Sequence, residues 1–166
     1  SGFNYKGAEL GHVGMVYGGV PCTCGRIGCI EAYCSVSALI RMTRESMQLN
    51  AKSKMWELAQ NSLDHVNGRT AFDAMRAGDE AASRVVDQYI DYIAYAVSGM
   101  INLFQPQAVV IGGGISKEGE TLFGPVRARA YPQTFNHEEQ NCARILQAKL
   151  GNDAGIIGAA LLGKQY

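Results

Sequence analysis

The chain has 166 residues, 47% of them hydrophobic and 18% charged, a length that suits one domain with a core burying about two thirds of the unfolded surface. Fifteen Lys and Arg balance fifteen Asp and Glu, for a formal net charge of 0, which argues against a nucleic-acid surface built on bulk positive charge. No apolar run approaches the roughly 18 residues that span a bilayer, and Ser1–Lys6 lacks the charged and apolar regions of a signal peptide, so a soluble globular protein is expected.

Eight of the 20 glycines fall in the first thirty residues, so Ser1 to Ile30 is expected to be turn-rich and mostly non-helical. Within it, His12 to Tyr17 predicts a short strand closed by Gly18-Gly19. Glu31 to about Met47 predicts a helix with Leu39, Ile40 and Thr43 on one side. A second short helix is expected near Met55 to Leu63, and a third from Thr70 to near Gly78, anchored by Phe72 and Met75. Asp79 to Phe104 carries the strongest helical signal: Ala82, Val86, Tyr89, Ile93, Val97, Met100 and Phe104 recur at spacings of three and four. Asp79 is a good N-cap and Pro106 stops continuation.

Ala108 to Ile111 has the compact, β-branched character of a buried parallel strand, and Gly112-Gly113-Gly114 ends it. A helix over Glu120 to Ala130, a strand over Cys142 to Ala148 and a small-residue helix over Ala154 to Leu162, capped by Asn152 or Asp153, complete the chain. Helix, strand, helix, strand, helix predicts an α/β layer with right-handed crossovers. Trp56 reads as a packing residue, His65 and His137 as surface histidines, and Gly155, Gly158 and Ala159 as small residues for close helix packing. His137 to Asn141 fails the metalloprotease pattern because Asn141 stands where the second His must be.

Five cysteines are an odd number, which weakens a disulfide framework. Three of them, Cys22, Cys24 and Cys29, lie within eight residues, around a Gly-containing turn. Three such thiolates suit a tetrahedral Zn2+, which needs a fourth ligand. His12 and Cys34 are the candidates; Cys34 also reads as a small buried hydrophobe, as does Cys142. Glu9 lies three residues before His12 and Glu31 two after Cys29. A metal gathering His12 and Cys29 would draw both carboxylates toward one place, where they could accept hydrogen bonds from a polyhydroxylated ligand. Spacing alone leans to a solvated Glu9 and a Glu31 that favours its helix's first turn.

Gly112-Gly113-Gly114 could let a nucleotide approach the backbone or could be a plain tight turn. It is no dinucleotide fingerprint, because Lys117 occupies the third glycine position, and no P-loop occurs.

Gly7-Ala8-Glu9-Leu10-Gly11-His12 followed by Cys22-Thr23-Cys24-Gly25-Arg26-Ile27-Gly28-Cys29-Ile30-Glu31-Ala32-Tyr33 closely resembles the ROK family of bacterial sugar kinases and sugar-responsive repressors. The resemblance continues through Asn102 to Pro106, Val110 to Ile115 and Gly151 to Ala160. It implies the carboxyl-terminal lobe of a ribonuclease H-like, actin/hexokinase-type ATPase fold with an inserted zinc loop and extra helices. The zinc and sugar loop would span 7–33, a helical segment 34–104, and a nucleotide-side α/β layer 105–166. It implies structural Zn2+ on His12, Cys22, Cys24 and Cys29, a hexose on Glu9, His12 and Glu31, and ATP, with Mg2+, against Gly112, Gly113 and Gly114. A cytoplasmic homodimer that phosphorylates the 6-hydroxyl of glucose or a related hexose is expected, with no membrane or nucleic-acid partner.

The family's Asp-x-Gly phosphate loop and the Asn-Asp pair that supplies the base are absent from these residues, and the Gly-rich signature is cut to its tail. The chain is therefore expected to be one lobe, inactive by itself. The effector lobe of a ROK repressor is the alternative, and a small zinc-stabilised binding module a third.

Overall fold

The computed structural model describes residues 3–4, 7–135, 143–150, 156–157 and 160–161. Six helices and two strands lie wholly within the described residues, in chain order: α1 (Glu31–Cys34), α2 (Val36–Leu49), α3 (Met55–Leu58), α4 (Thr70–Arg76), α5 (Glu80–Phe104), β1 (Ala108–Ile111), α6 (Glu120–Ala130) and β2 (Arg144–Gln147). Cys142, His137 to Asn141, the capping pair Asn152 and Asp153, and Gly155, Gly158 and Ala159 lie outside the described residues. Of the expected helix from Ala154 to Leu162, Ile156, Ile157, Ala160 and Leu161 are described and helical.

The body is organised around α5. One Asp79 carboxylate oxygen accepts the Ala82 N–H at 2.8 Å, as an N-cap should. The other accepts the Lys54 N–H at 2.6 Å and so ties the loop before α3 to the start of α5. Ala82, Val86, Tyr89, Ile93 and Val97 are all buried, as their spacing predicts. The stripe does not hold to its end. Ile101 is the last buried residue of the helix, Met100 is half-buried and Phe104 exposed. Gln105 then ends the helix in the left-handed conformation. Helices α1, α2, α4 and α6 pack on α5. Leu39, Met47, Met55, Phe72, Tyr89, Leu122 and Phe123 are the large side chains of one continuous core.

Three helical expectations change at their ends. The helix expected from Glu31 to Met47 is two helices. Ser35 adopts an extended backbone and its side chain accepts the Ala38 N–H at 3.1 Å, capping α2. The Tyr89 hydroxyl donates to the Cys34 carbonyl at 2.8 Å, occupying an acceptor that a continuous helix would use itself. The helix expected from Met55 to Leu63 stops at Leu58, where Gln60 and Asn61 take positive φ. Thr70 to Gly78 closes at Arg76, with Gly78 at φ +82° reversing the chain toward Asp79. Trp56 packs against the core, and its Nε1 donates to the Met47 carbonyl at 3.0 Å.

Strands β1 and β2 pair in parallel, Ala108 with Arg144 through Ile111 with Gln147. The crossover between them carries a 3-10 turn (Gly114–Glu118), α6 and a second 3-10 turn (Tyr131–Gln133). The parallel pairing is as expected, but full burial is not: Val110 is exposed. Val109 and Ile111 pack on the core, so β1 buries one face and presents the other. No helix among the described residues is long and apolar enough to cross a membrane.

Candidate metal centre and the sites beside it

From Leu10 to Ile30 the chain is held by backbone hydrogen bonds rather than by a core. Ile30 N–H donates to Val13, Met15 and Val16 N–H both donate to Gly28, Gly28 N–H donates to Val20, and Cys22 N–H donates to Arg26. These bonds make isolated antiparallel bridges at Gly14–Cys29 and Pro21–Ile27. The strand expected over His12 to Tyr17 therefore does not form. A 3-10 turn, Leu10–His12, leads into single bridges because the chain folds back on itself too tightly for a ladder. Gly28 is the pivot. Its φ is +75°, and a Cβ there would stand 1.8 Å from the Val16 carbonyl oxygen, so no larger residue fits.

This folding-back brings four candidate ligands together, three thiols and one imidazole. One ligand atom each from His12, Cys22, Cys24 and Cys29 lie within 4.8 Å of one another. Cys24 Sγ is 3.8 Å from Cys29 Sγ, and Cys22 Sγ is 3.6 Å from His12 Nδ1. A tetrahedron with Zn–S bonds near 2.3 Å and Zn–N bonds near 2.05 Å has S–S edges of about 3.8 Å and S–N edges of about 3.6 Å. The donor set and its spacing thus fit zinc.

The thiols differ in exposure. Cys22 and Cys29 are buried and Cys24 is exposed. The Arg26 backbone N–H beside Cys24 holds that thiol below its usual range. Burial pushes the Cys29 thiol up to about 11, so without a cation its proton is hard to remove. Cys34, the alternative fourth ligand, is not in the group. It packs against the core of the body, and burial pushes its thiol up to about 12.

Glu31 stands beside this cluster, at the start of α1. Its Oε1 accepts the Thr23 hydroxyl at 2.7 Å and lies 3.7 Å from Cys22 Sγ. The Thr23 hydroxyl foremost, helped by nearby His12, holds the Glu31 carboxyl below its usual range against the opposing effect of desolvation. Glu9 caps the 3-10 turn that carries His12, and its carbonyl accepts the His12 N–H at 3.0 Å. Its side chain is exposed. Glu31 thus touches the cysteine cluster directly and is held there by Thr23, and Glu9 is linked to the cluster through the backbone of one turn.

Gly112, Gly113 and Gly114 lie at the carboxyl end of β1, about where open α/β sheets take ligands. Gly113 has φ +79° with ψ −177°, a conformation essentially confined to glycine. Its carbonyl accepts both the N–H and the hydroxyl of Ser116, at 3.2 and 2.8 Å, which closes the turn. Beside the turn opens a cleft of about 600 Å3 between Gly114, Ile115, Lys117 and Glu118 on one wall and Val36, Gly68, Arg69 and Arg76 on the other. Arg76 and Glu118 form an ion pair that links the two walls. Sequence reasoning missed Arg69, Arg76 and Glu118, since residues 42 positions apart in the chain carry no shared local pattern. It missed Thr23 as well, which lies between two cysteines of the four-residue cluster.

The ROK family profile matches residues 1–166. The glucokinase of Thermotoga maritima is 40% identical over 159 residues, 96% of this chain and 50% of that protein. The crystal structure of a ROK family glucokinase from Streptomyces griseus, in complex with glucose and AMPPNP, superposes with a TM-score of 0.85 at 32% identity, covering 96% of this chain and 52% of that one. A ROK family transcriptional regulator, a homologue of the E. coli MLC protein, superposes at 0.73 with 24% identity over 93% of this chain and 38% of the other, a likeness of fold alone. The chain spans about half the length of the curated relatives it matches.

Proposed function

This chain belongs to the ROK family, and on that premise we propose that it is the carboxyl-terminal lobe of an ATP-dependent hexokinase that phosphorylates the 6-hydroxyl of glucose or a related hexose. The observation that carries the reading is the position of Glu31, hydrogen-bonded to Thr23 in direct contact with Cys22 of the four-ligand cluster. A carboxylate fixed beside a metal-ordered loop is suited to accept sugar hydroxyl protons as hydrogen bonds. Glu9, Glu31 and the ring nitrogen of His12 that faces away from Cys22 are the hexose contacts in this reading.

Zinc on His12, Cys22, Cys24 and Cys29 would be structural: it would hold the loop closed and fix the His12 ring without taking part in phosphoryl transfer. The turn at Gly112, Gly113 and Gly114 and its adjoining cleft take ATP, with Mg2+ carried on the phosphates. The residues divide accordingly into a zinc and sugar loop (7–33), a helical segment (34–104) and a nucleotide-side layer (105–166). The base that accepts the 6-hydroxyl proton comes from outside these residues, and the complete enzyme works as a homodimer in the cytoplasm. Positioning and charge stabilisation supply most of the rate, because the transition state asks for little covalent help.

The fold is shared with a transcriptional regulator, so the distinction rests on residues. Glu9, Glu31 and the triple-glycine turn favour the kinase reading. Exchange of Glu31→Ala in the complete enzyme tests the reading. Loss of hydrogen bonds to a charged acceptor should raise the glucose KM roughly 10- to 100-fold, leaving bound zinc at one equivalent. Unchanged glucose kinetics would remove Glu31 from the sugar site.

A further inference from the structure

We propose that Thr23 is a positioning residue for the sugar site: its hydroxyl holds the Glu31 carboxylate in the orientation that presents the second oxygen to the hexose. The inference rests on the sugar-site reading above and adds a residue to it.

Three observations converge on Thr23. Its Oγ1 donates to Glu31 Oε1 at 2.7 Å, the short distance of a charge-assisted bond. That same oxygen lies 3.7 Å from Cys22 Sγ. A sulfur bound to zinc carries no proton, so with the metal in place this contact sets two anionic groups side by side. Among the described residues the Thr23 hydroxyl is then the donor that keeps Oε1 against the cluster. The third observation concerns Glu31 Oε2. It lies 3.9 Å from where a Cβ on Gly11 would stand, so it overlooks backbone that carries no side chain. Oε1 is taken by Thr23, and Oε2 remains for the ligand.

The location of Thr23 makes the arrangement precise. It sits between Cys22 and Cys24, both in the four-ligand group, so its backbone is fixed wherever the metal fixes theirs. Thr23 is exposed and fills no core space. The pair therefore transmits the geometry of the metal loop to a carboxylate eight residues away in the chain, while contributing little to the packing of the body.

The test compares Thr23→Val, which keeps the shape and deletes the donor, with Thr23→Ser, which keeps the donor, in the complete enzyme. Glucose and ATP KM values, glucose affinity by calorimetry and bound zinc by elemental analysis are measured for each. Thr23→Val should raise the glucose KM and Kd roughly tenfold, with the ATP KM and zinc content unchanged, and Thr23→Ser should restore the parental values. Unchanged glucose affinity in Thr23→Val overturns the proposal. So does loss of zinc or of folding in Thr23→Val, because Thr23 would then serve the loop itself. A parallel Glu31→Gln variant separates the two levels of argument. If Glu31→Gln impairs glucose binding and Thr23→Val does not, only the positioning role fails; if neither does, the sugar-site reading fails with it.

Discussion

The loop before α1 and the helical body after it are ordered by different physics. The body buries a continuous apolar core from Leu39 to Ile145, and burial of that kind scales with area and needs no particular partner chemistry. The loop contributes no member to that core. Its buried side chains are chiefly Cys22 and Cys29, and its shape comes from backbone bonds and the glycine at position 28. A segment so built has little hydrophobic free energy to offset its conformational entropy. A metal held by the four clustered side chains would supply what the core does not.

Chelation should separate the two regions most sharply. Structural zinc sites carry apparent binding free energies of about 10–16 kcal/mol. Removing zinc from the protein should therefore unlock the loop, collapsing hydrogen-exchange protection at Met15, Val16, Cys22 and Gly28 while amides of α5 stay protected. Equal loss in both regions would show that the body leans on the metal too. The reverse experiment strikes the core. Phe72 is fully buried, and Phe72→Ala should cost about 3–5 kcal/mol of unfolding free energy, read from urea denaturation, with zinc content preserved in the folded fraction.

A smaller effect is expected from Asp79, which belongs wholly to the body. Burial works against ionisation there, but the N–H groups of Ala82 and Lys54 and the Ser53 hydroxyl outweigh it and hold the carboxyl below its usual 3.8. In the acid range the unfolded chain then binds more protons than the folded one, so stability rises with pH. The contribution is complete above the ordinary carboxyl value and is lost as pH falls through the lower folded one. Asp79→Ala should cost about 1–2 kcal/mol near neutral pH, and the deficit should shrink in denaturation series carried below pH 4. A pH-independent deficit would assign the loss to packing.

The same contrast explains what the sequence discloses. Helix α5 is legible because its burial pattern is written at spacings of three and four, and its cap is a single local residue. The three loop cysteines are legible as a group because sulfur chemistry restricts what three close thiols can do. The interruption at Ser35 is not: its cause includes a hydroxyl from Tyr89, 55 residues away, and no local window contains both partners. His12 to Tyr17 reads as a short strand, yet its N–H and C=O groups go to Gly28 and Ile30 in single bridges. The strand pattern was real, and the partner needed to extend it was a tight turn instead. The family resemblance favours His12 over Cys34 as the fourth member of the group, and the structure packs Cys34 on the body side. The pairing of Glu31 with Thr23 is a contact across a turn, for which spacing offers no rule.

The bond from Tyr89 to the Cys34 carbonyl has a consequence for the order of assembly. It closes a stretch of 55 residues, and the entropy of drawing such ends together costs about 3.5 kcal/mol beyond a constant term. One hydrogen bond returns only about 1 kcal/mol. The contact can persist only after the helices between have condensed and carried Tyr89 into place. The junction at Cys34 is thus a late suture: the body must exist before the loop acquires a fixed address on it.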